Sequence, residues 1–441
     1  MHPSFLQTLF FLLLSVAIII FLTARLRVHA FFALLIACFV MGIGLGMPVL
    51  NILTIAKEGL GNILKSLGFI IVLGTALGVL LEHSGCAAVI ANFISRKTGK
   101  GHEGLAMSIT GFITGLPVFC DSGYIVLNGL NLSFAKKSGT PVVLTSISLA
   151  TGLYAVHCLI PPHPGAAAAA ASLNVEYGRL TLYGIILAIP AMLTGHAWSV
   201  YATRKMKTES AAEGELQTET PPDIPVLLAV LPIAIPILLI TTRAFIAADT
   251  KNAIGQIFYV LGEPSIALAI GIIISFMVGK NWNKAVVSRL LSESADKAGG
   301  VLVVIGGGGA FGAILAAGRI GDHFTQSFNV QQWGLLFPFL LTALLKTAQG
   351  SSTVAIITAA SIVAPVLTAI GFDDANGRIF CVLAMGAGSM VISHANDAYF
   401  WVISRFSGIE MNPMLKVYSI ASALMGGVTI LLLWLASLLL R

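Results

Sequence analysis

Charge is what this sequence has least of. Only 10% of its 441 residues are Asp, Glu, Lys or Arg, against roughly 25% in an ordinary soluble domain. With 57% hydrophobic residues and a mean hydropathy of +0.93, a water-soluble fold would have to expose more apolar surface than such folds tolerate. These figures exclude a soluble enzyme, a nucleic-acid partner and a disordered scaffold, and the 25 basic residues form no dense patch. Cysteine is scarce too. Cys38, Cys86, Cys120, Cys158 and Cys381 lie in or beside apolar segments with no CxxC or metal-ligand spacing, so buried thiols are expected rather than disulfides, and no metal or cofactor. HExxH and GxSxG are missing, and no Lys-Ser/Thr follows Gly306-Gly307-Gly308-Gly309, so the glycines predict close helix packing or local unwinding rather than a phosphate loop. No enzyme is expected. The N-terminal Met1-His2-Pro3-Ser4 carries no basic stretch, so the first apolar run is expected to remain as a span.

What is abundant is long apolar sequence. About 20 apolar residues cross a bilayer core of about 30 Å. Such runs occur near 5–23, 30–48, 64–82, 141–160 and 180–203, and again near 225–244, 255–279, 299–317, 379–393 and 413–440. An all-α polytopic membrane protein is expected. Two regions span poorly as single helices. Residues 104–135 are broken by Gly115-Leu116-Pro117 and Asp121-Ser122-Gly123, and residues 331–370 are broken from Lys346 to Ser352. Polar, non-helical backbone at membrane depth survives only inside protein or beside a wet cavity, so both are expected to be re-entrant hairpins. With the N-terminus outside, inner loops hold 16 of the 25 basic residues and the outer side 8, Lys346 lying in the second hairpin. That bias sets the expected orientation.

The hydrophilic stretch 204–223 divides the chain into halves, 1–203 and 224–441. Gly68–Gly74 resembles Gly300–Gly306 at an offset of 232, Asp121-Ser122 falls against Ser351-Ser352 at 230, and His163 falls against His394 at 231. Each half holds about five spans and one hairpin. An odd number of spans inserts the halves with opposite topology, and inverted repeats with broken helices near the midplane are a secondary-transporter architecture.

The polar residues cluster at the breaks. At the first tip, Asp121 is an acid inside an apolar region, which is a functional hypothesis by default. It is a candidate carrier of a coupling proton, because burial favours the neutral carboxyl, or else a helix cap aided by Ser122. Gly123 permits an unwound turn. The second tip, Gln349-Gly350-Ser351-Ser352-Thr353, offers hydroxyls and a helix N-terminus suited to a carboxylate or a polyol, or a cap for the broken backbone. Lys346 either attracts an anion or snorkels to the outer surface. His163, in the Pro161–Gly165 break, is a candidate substrate ligand or proton relay, with a structural histidine as the rival reading; His157 reads as structural. Ser393, His394, Asn396 and Asp397 form the densest polar group, a pocket wall or a helix cap. His394 joins Asp121 and His163 as a proton-coupling candidate.

The segments GLPVFCDSGYIVL (115–127), PPHPGAAA (161–168), GGGGAFGAIL (306–315), QGSSTVAIITAASIVAP (349–365) and SHANDAYFW (393–401) together resemble the gluconate permease family of sugar-acid:proton symporters, within the ion transporter superfamily. The resemblance implies import of gluconate or a related small hydroxy acid with protons, across the bacterial cytoplasmic (inner) membrane. It also implies two hairpins, inverted repeats, a scaffold that dimerises and elevator-type movement. Gluconate-type members carry Glu-Val-Gly where this chain has Asp121-Ser122-Gly123, so a small carboxylate is the substrate class implied. An uncoupled facilitator or exchanger of another small carboxylate or polar metabolite is the alternative.

Overall fold

The computed structural model describes residues 5–99, 101–204, 224–243, 245–246, 252–279, 282–318, 333–394 and 397–439, without the side chains of residues 5, 24, 95, 137 and 349. Most of the hydrophilic linker therefore lies outside the described residues. Among the described residues every regular element is helical. The first half contains α1 (Phe5–Ile20), α2 (Ala30–Gly44), α3 (Val49–Ser84), α4 (Cys86–Thr98), α5 (Glu103–Gly115), α6 (Cys120–Ser138), α7 (Val142–Leu159), α8 (Pro164–Ser172) and α9 (Tyr177–Thr203). The second contains α10 (Val226–Arg243), α11 (Ala253–Leu261), α12 (Pro264–Val278), α13 (Lys284–Ala317), α14 (Leu336–Gln349), α15 (Ser352–Val363), α16 (Ala375–Met390), α17 (Ala398–Ser407) and α18 (Ile420–Leu439), the last entered through a π-helical turn at Met414–Ser419. Seven of the described helices are long and apolar enough to cross a membrane, or eight if one bent pair counts as a span. The chain is a polytopic helical membrane protein.

Element order recurs between the halves. The 36-residue α3 has its counterpart in the 34-residue α13. The broken pair α5 and α6 matches α14 and α15, and the span-then-short-helix sequence of α7 and α8 matches α16 and α17.

Three sequence expectations change. The runs 64–82 and 299–317 are only the apolar ends of α3 and α13, each about 50 Å long at 1.5 Å per residue. Their polar N-terminal parts, with Lys57 and Lys65 in one and Arg289 to Lys297 in the other, stay helical because the two helices pack along each other. Contact is close where glycines face. A Cβ on Gly59 would lie 2.4 Å from the Gly309 carbonyl oxygen, and one on Gly309 2.7 Å from that of Gly59. The glycine run 306–309 thus serves packing within a continuous helix and unwinds nothing. The run 255–279 is not one span either, because α11 and α12 meet at a 75° bend. Pro264 opens α12 and Glu263 caps it by accepting from the Ile266 amide at 3.0 Å, a start signal that overrides apolar continuity.

Packing divides the interior. One apolar cluster joins α6, α7, α9, α15, α16 and α18, and another joins α3, α10, α12 and α13. Their boundary positions the site.

Candidate functional site

The first tip is Leu116-Pro117-Val118-Phe119, between the end of α5 and the start of α6. Pro117 cannot donate to a helix and Gly115 ends one. Phe119 occupies the N-cap without a side-chain bond, so Asp121 and Ser122 fall in the first turn of α6. Asp121 is exposed, and among the described residues the partner of its carboxylate is the Cys120 thiol, Sγ to Oδ1 3.9 Å. It does not cap the helix.

The second tip is built by a left-handed glycine. Gly350 has φ of +84° and its amide donates to the Lys346 carbonyl at 2.8 Å, ending α14. Ser351 then caps α15, its Oγ accepting from the Val354 amide at 3.3 Å. Ser352 and Thr353 open α15, where the first amides have no intrahelical partner.

Two further breaks arrive beside these tips. His163 and Pro164 start α8 after Pro161-Pro162. Asp397 caps α17, its Oδ1 accepting from the Tyr399 amide at 3.0 Å. Around the four breaks lies a cavity of about 530 Å³, whose lining includes Phe119, Asp121, Ser122, Tyr154, His157, Pro164, Gly350 to Val354, Asp397 and Tyr399, with Lys297, Gly300, Val301 and Val304 of α13 closing the remaining wall. The N-termini of α6, α8, α15 and α17 therefore converge on one space. Each is equivalent to about half a positive charge.

Seven residues singled out from the sequence meet at this cavity: Asp121, Ser122, Gly350, Ser351, Ser352, Thr353 and Asp397. The others stand behind it. Gly123 is buried, and a Cβ there would come within 2.9 Å of Leu153 Cδ2. His163 is 3% exposed, and its Nε2 donates to the Gly115 carbonyl at 2.8 Å, bracing the first tip from within. His394 donates through Nε2 to the Thr347 carbonyl at 3.2 Å. Ser393 donates its hydroxyl to Asp397 Oδ2. Asn396 and the side chain of Gln349 lie outside what is described.

Sequence reasoning gave none of five further contributors its observed place. Lys346 neither snorkels nor faces the cavity: it is 1% exposed, with Nζ 2.6 Å from Asp397 Oδ2 and 2.6 Å from the Gly350 carbonyl. His157 lines the cavity, Nε2 3.4 Å from Thr353 Oγ1, while its Nδ1 is buried with no partner among the described residues. Tyr154, one turn earlier on α7, and Tyr399 pack their rings 5.6 Å apart on the cavity wall. Lys297 enters from α13, its ammonium 2.8 Å from Glu293. Helical spacing places Tyr154 and His157 on one face of α7, a usable signal. Nothing local marks Lys346 as the partner of Asp397.

The arrangement can hold an anion. Helix-end amides and hydroxyls surround a space where Asp397 is already paired with Lys346 and, among the described residues, the Asp121 carboxylate has only the Cys120 thiol as hydrogen-bond partner.

A family model described as GntP family permease matches residues 7–439. The chain is 33% identical over 439 residues to a gluconate permease of Pseudomonas aeruginosa, covering 97% of both proteins. It is 30% identical over 420 residues to the Gnt-II system L-idonate transporter of Escherichia coli strain K12, covering 93% of this chain and 94% of that protein. Among solved structures, the YdaH transporter of Alcanivorax borkumensis superposes with a TM-score of 0.66 at 15% identity, over 99% of this chain and 98% of that one.

Proposed function

The chain belongs to the GntP permease family, and from that premise we propose that it imports gluconate or a related small hydroxycarboxylate by proton symport. It is a multi-pass permease of the bacterial inner membrane, not an enzyme. The observation that carries the substrate class is the convergence of four helix N-termini on one cavity, with Ser351, Ser352 and Thr353 beside them. Such ends receive a carboxylate, and hydroxyl donors and acceptors suit a polyhydroxy chain. The relatives named for gluconate and L-idonate favour the same chemistry.

Asp121 is the proton carrier in this reading. Among the described residues its carboxylate has no basic hydrogen-bond partner, whereas the Asp397 carboxylate is held by Lys346. Protonating Asp121 as the anion binds removes charge from the loaded site, which eases passage through the low-dielectric membrane. Movement is of the elevator type. The tips, α7 and α16 travel against a scaffold of α3 and α13, and the cavity's position between the two packing clusters supports that division. The halves act as inverted repeats, for which the recurrence of element order speaks, and the scaffold pairs in a homodimer.

Purified protein in proteoliposomes decides the coupling. Acidifying the outside is expected to drive gluconate or a related acid above equilibrium, and a protonophore to abolish the gradient. Uptake that only equilibrates would instead establish the facilitator or exchanger reading.

A further inference from the structure

The cradle around the Lys346 ammonium is made of oxygen. It contains the Gly350 carbonyl and Asp397 Oδ2, each 2.6 Å from Nζ, and the Tyr154 ring lies 6.0 Å away. The carboxylate is itself fixed, by the Ser393 hydroxyl on Oδ2 and the Tyr399 amide on Oδ1. The side chain is 1% exposed and sits in the last turn of α14, at the negative end of a half-helix that stops inside the protein. In broken-helix transporters, unwound carbonyls and half-helix C-termini are where a coupling cation is coordinated. Here the chain supplies that cation itself.

We propose that Lys346 is a tethered cation occupying the place a free alkali ion would take at the second tip, so that this tip closes against Asp397 without binding one. The proposal rests on the reading of the second tip as part of a transport site. Its ammonium joins three elements: α14, the tip glycine and the break before α17. A free cation would have to bind before the tip could dock. A covalently attached one makes docking unconditional, and leaves coupling to a group elsewhere in the cavity. Lys346 acts as a positioning residue, since it lies behind the wall that substrate touches.

The test is to replace Lys346→Ala, leaving the cradle intact with room for a small cation. The thermal midpoint of the purified variant is measured in sodium, methylammonium and choline chloride at equal ionic strength. Sodium or methylammonium is expected to raise the midpoint by several degrees and saturably relative to choline, whose trimethylated nitrogen is too bulky to enter. The wild-type midpoint is expected to be the same in all three salts, and Asp397→Asn added to the variant to remove the response. Equal midpoints for Lys346→Ala in the three salts, or failure to recover it folded in any of them, overturns the proposal. In proteoliposomes the same small cations should restore uptake lost by the variant. The thermal readout needs no substrate, so a wild-type protein that moves no hydroxy acid defeats the transport reading and leaves this result standing.

Discussion

Asp121 and Asp397 bring the same carboxyl group to the same cavity and differ in what stands behind them. Asp397 is compensated by a buried ammonium, a hydroxyl and a helix amide, whereas Asp121 has a thiol 3.9 Å away. Removing one member of a buried pair strands the other charge and costs about 3–5 kcal/mol. The Lys346–Asp397 pair is therefore unsuited to releasing a proton in each cycle, and Asp121 is suited to it. Asp121→Asn is expected to abolish proton-driven accumulation while leaving exchange of labelled for unlabelled substrate near the wild-type rate, measured by counterflow in proteoliposomes. Normal accumulation by this variant would move the proton to another group. Both acids were legible in the sequence because so few charges lie near the breaks. The pairing of Lys346 was not, because its partner is 51 positions away and only folding brings the two together. His157 reads as structural in the sequence and lines the cavity in the structure, since a histidine in an apolar run looks the same whether it faces core or cavity.

At the scale of elements, breaks were easier to read than lengths. Gly115-Leu116-Pro117 and Gln349-Gly350-Ser351 announce helix breaks through local chemistry, and α5 and α14 end, and α6 and α15 begin, around those residues. The lengths of α3 and α13 are set by each other. Hydropathy falls at Lys57, Glu58 and Lys65, yet the helix continues because its glycine face lies against α13. Gly59 and Gly61 provide an internal comparison. A Cβ at Gly59 meets the Gly309 carbonyl at 2.4 Å, while one at Gly61 meets nothing within 4 Å. Gly59→Val is expected to lower the thermal midpoint of the solubilised protein by several degrees, as overpacking typically costs about 1–3 kcal/mol. Gly61→Val should leave it within a degree or two. Equal losses would mean that helix propensity rather than close approach governs α3. The 75° bend between α11 and α12 was hidden for the opposite reason, since both sides of Gly262-Glu263 are apolar and a hydropathy window averages across the break.

For the whole molecule, the decisive feature is where the cavity sits. Of its wall, Cys120, Tyr154 and Tyr399 belong to the cluster containing α7 and α16, and Val301 and Val304 to the long-helix cluster, which Val354 of the second tip also joins. If one cluster moves against the other, a bridge across the cavity must stop transport. Val301→Cys and Thr353→Cys, in a chain whose native cysteines are replaced, are expected to cross-link with a short bifunctional reagent, to block uptake and to be restored by reduction if the linker is cleavable. Undiminished uptake after complete cross-linking would rule out relative movement at this boundary. The sequence by itself determined the membrane class, the breaks and the polar residues at them, because hydropathy, helix-breaking and the scarcity of charge are local properties of the chain. Tertiary structure alone decided which polar residues share a cavity, that Asp397 is neutralised by Lys346 while Asp121 is not, and that four helix N-termini point at one space. Those facts depend on which helices pack together, and packing among uniformly apolar surfaces is chosen by close shape fit, which no single segment encodes.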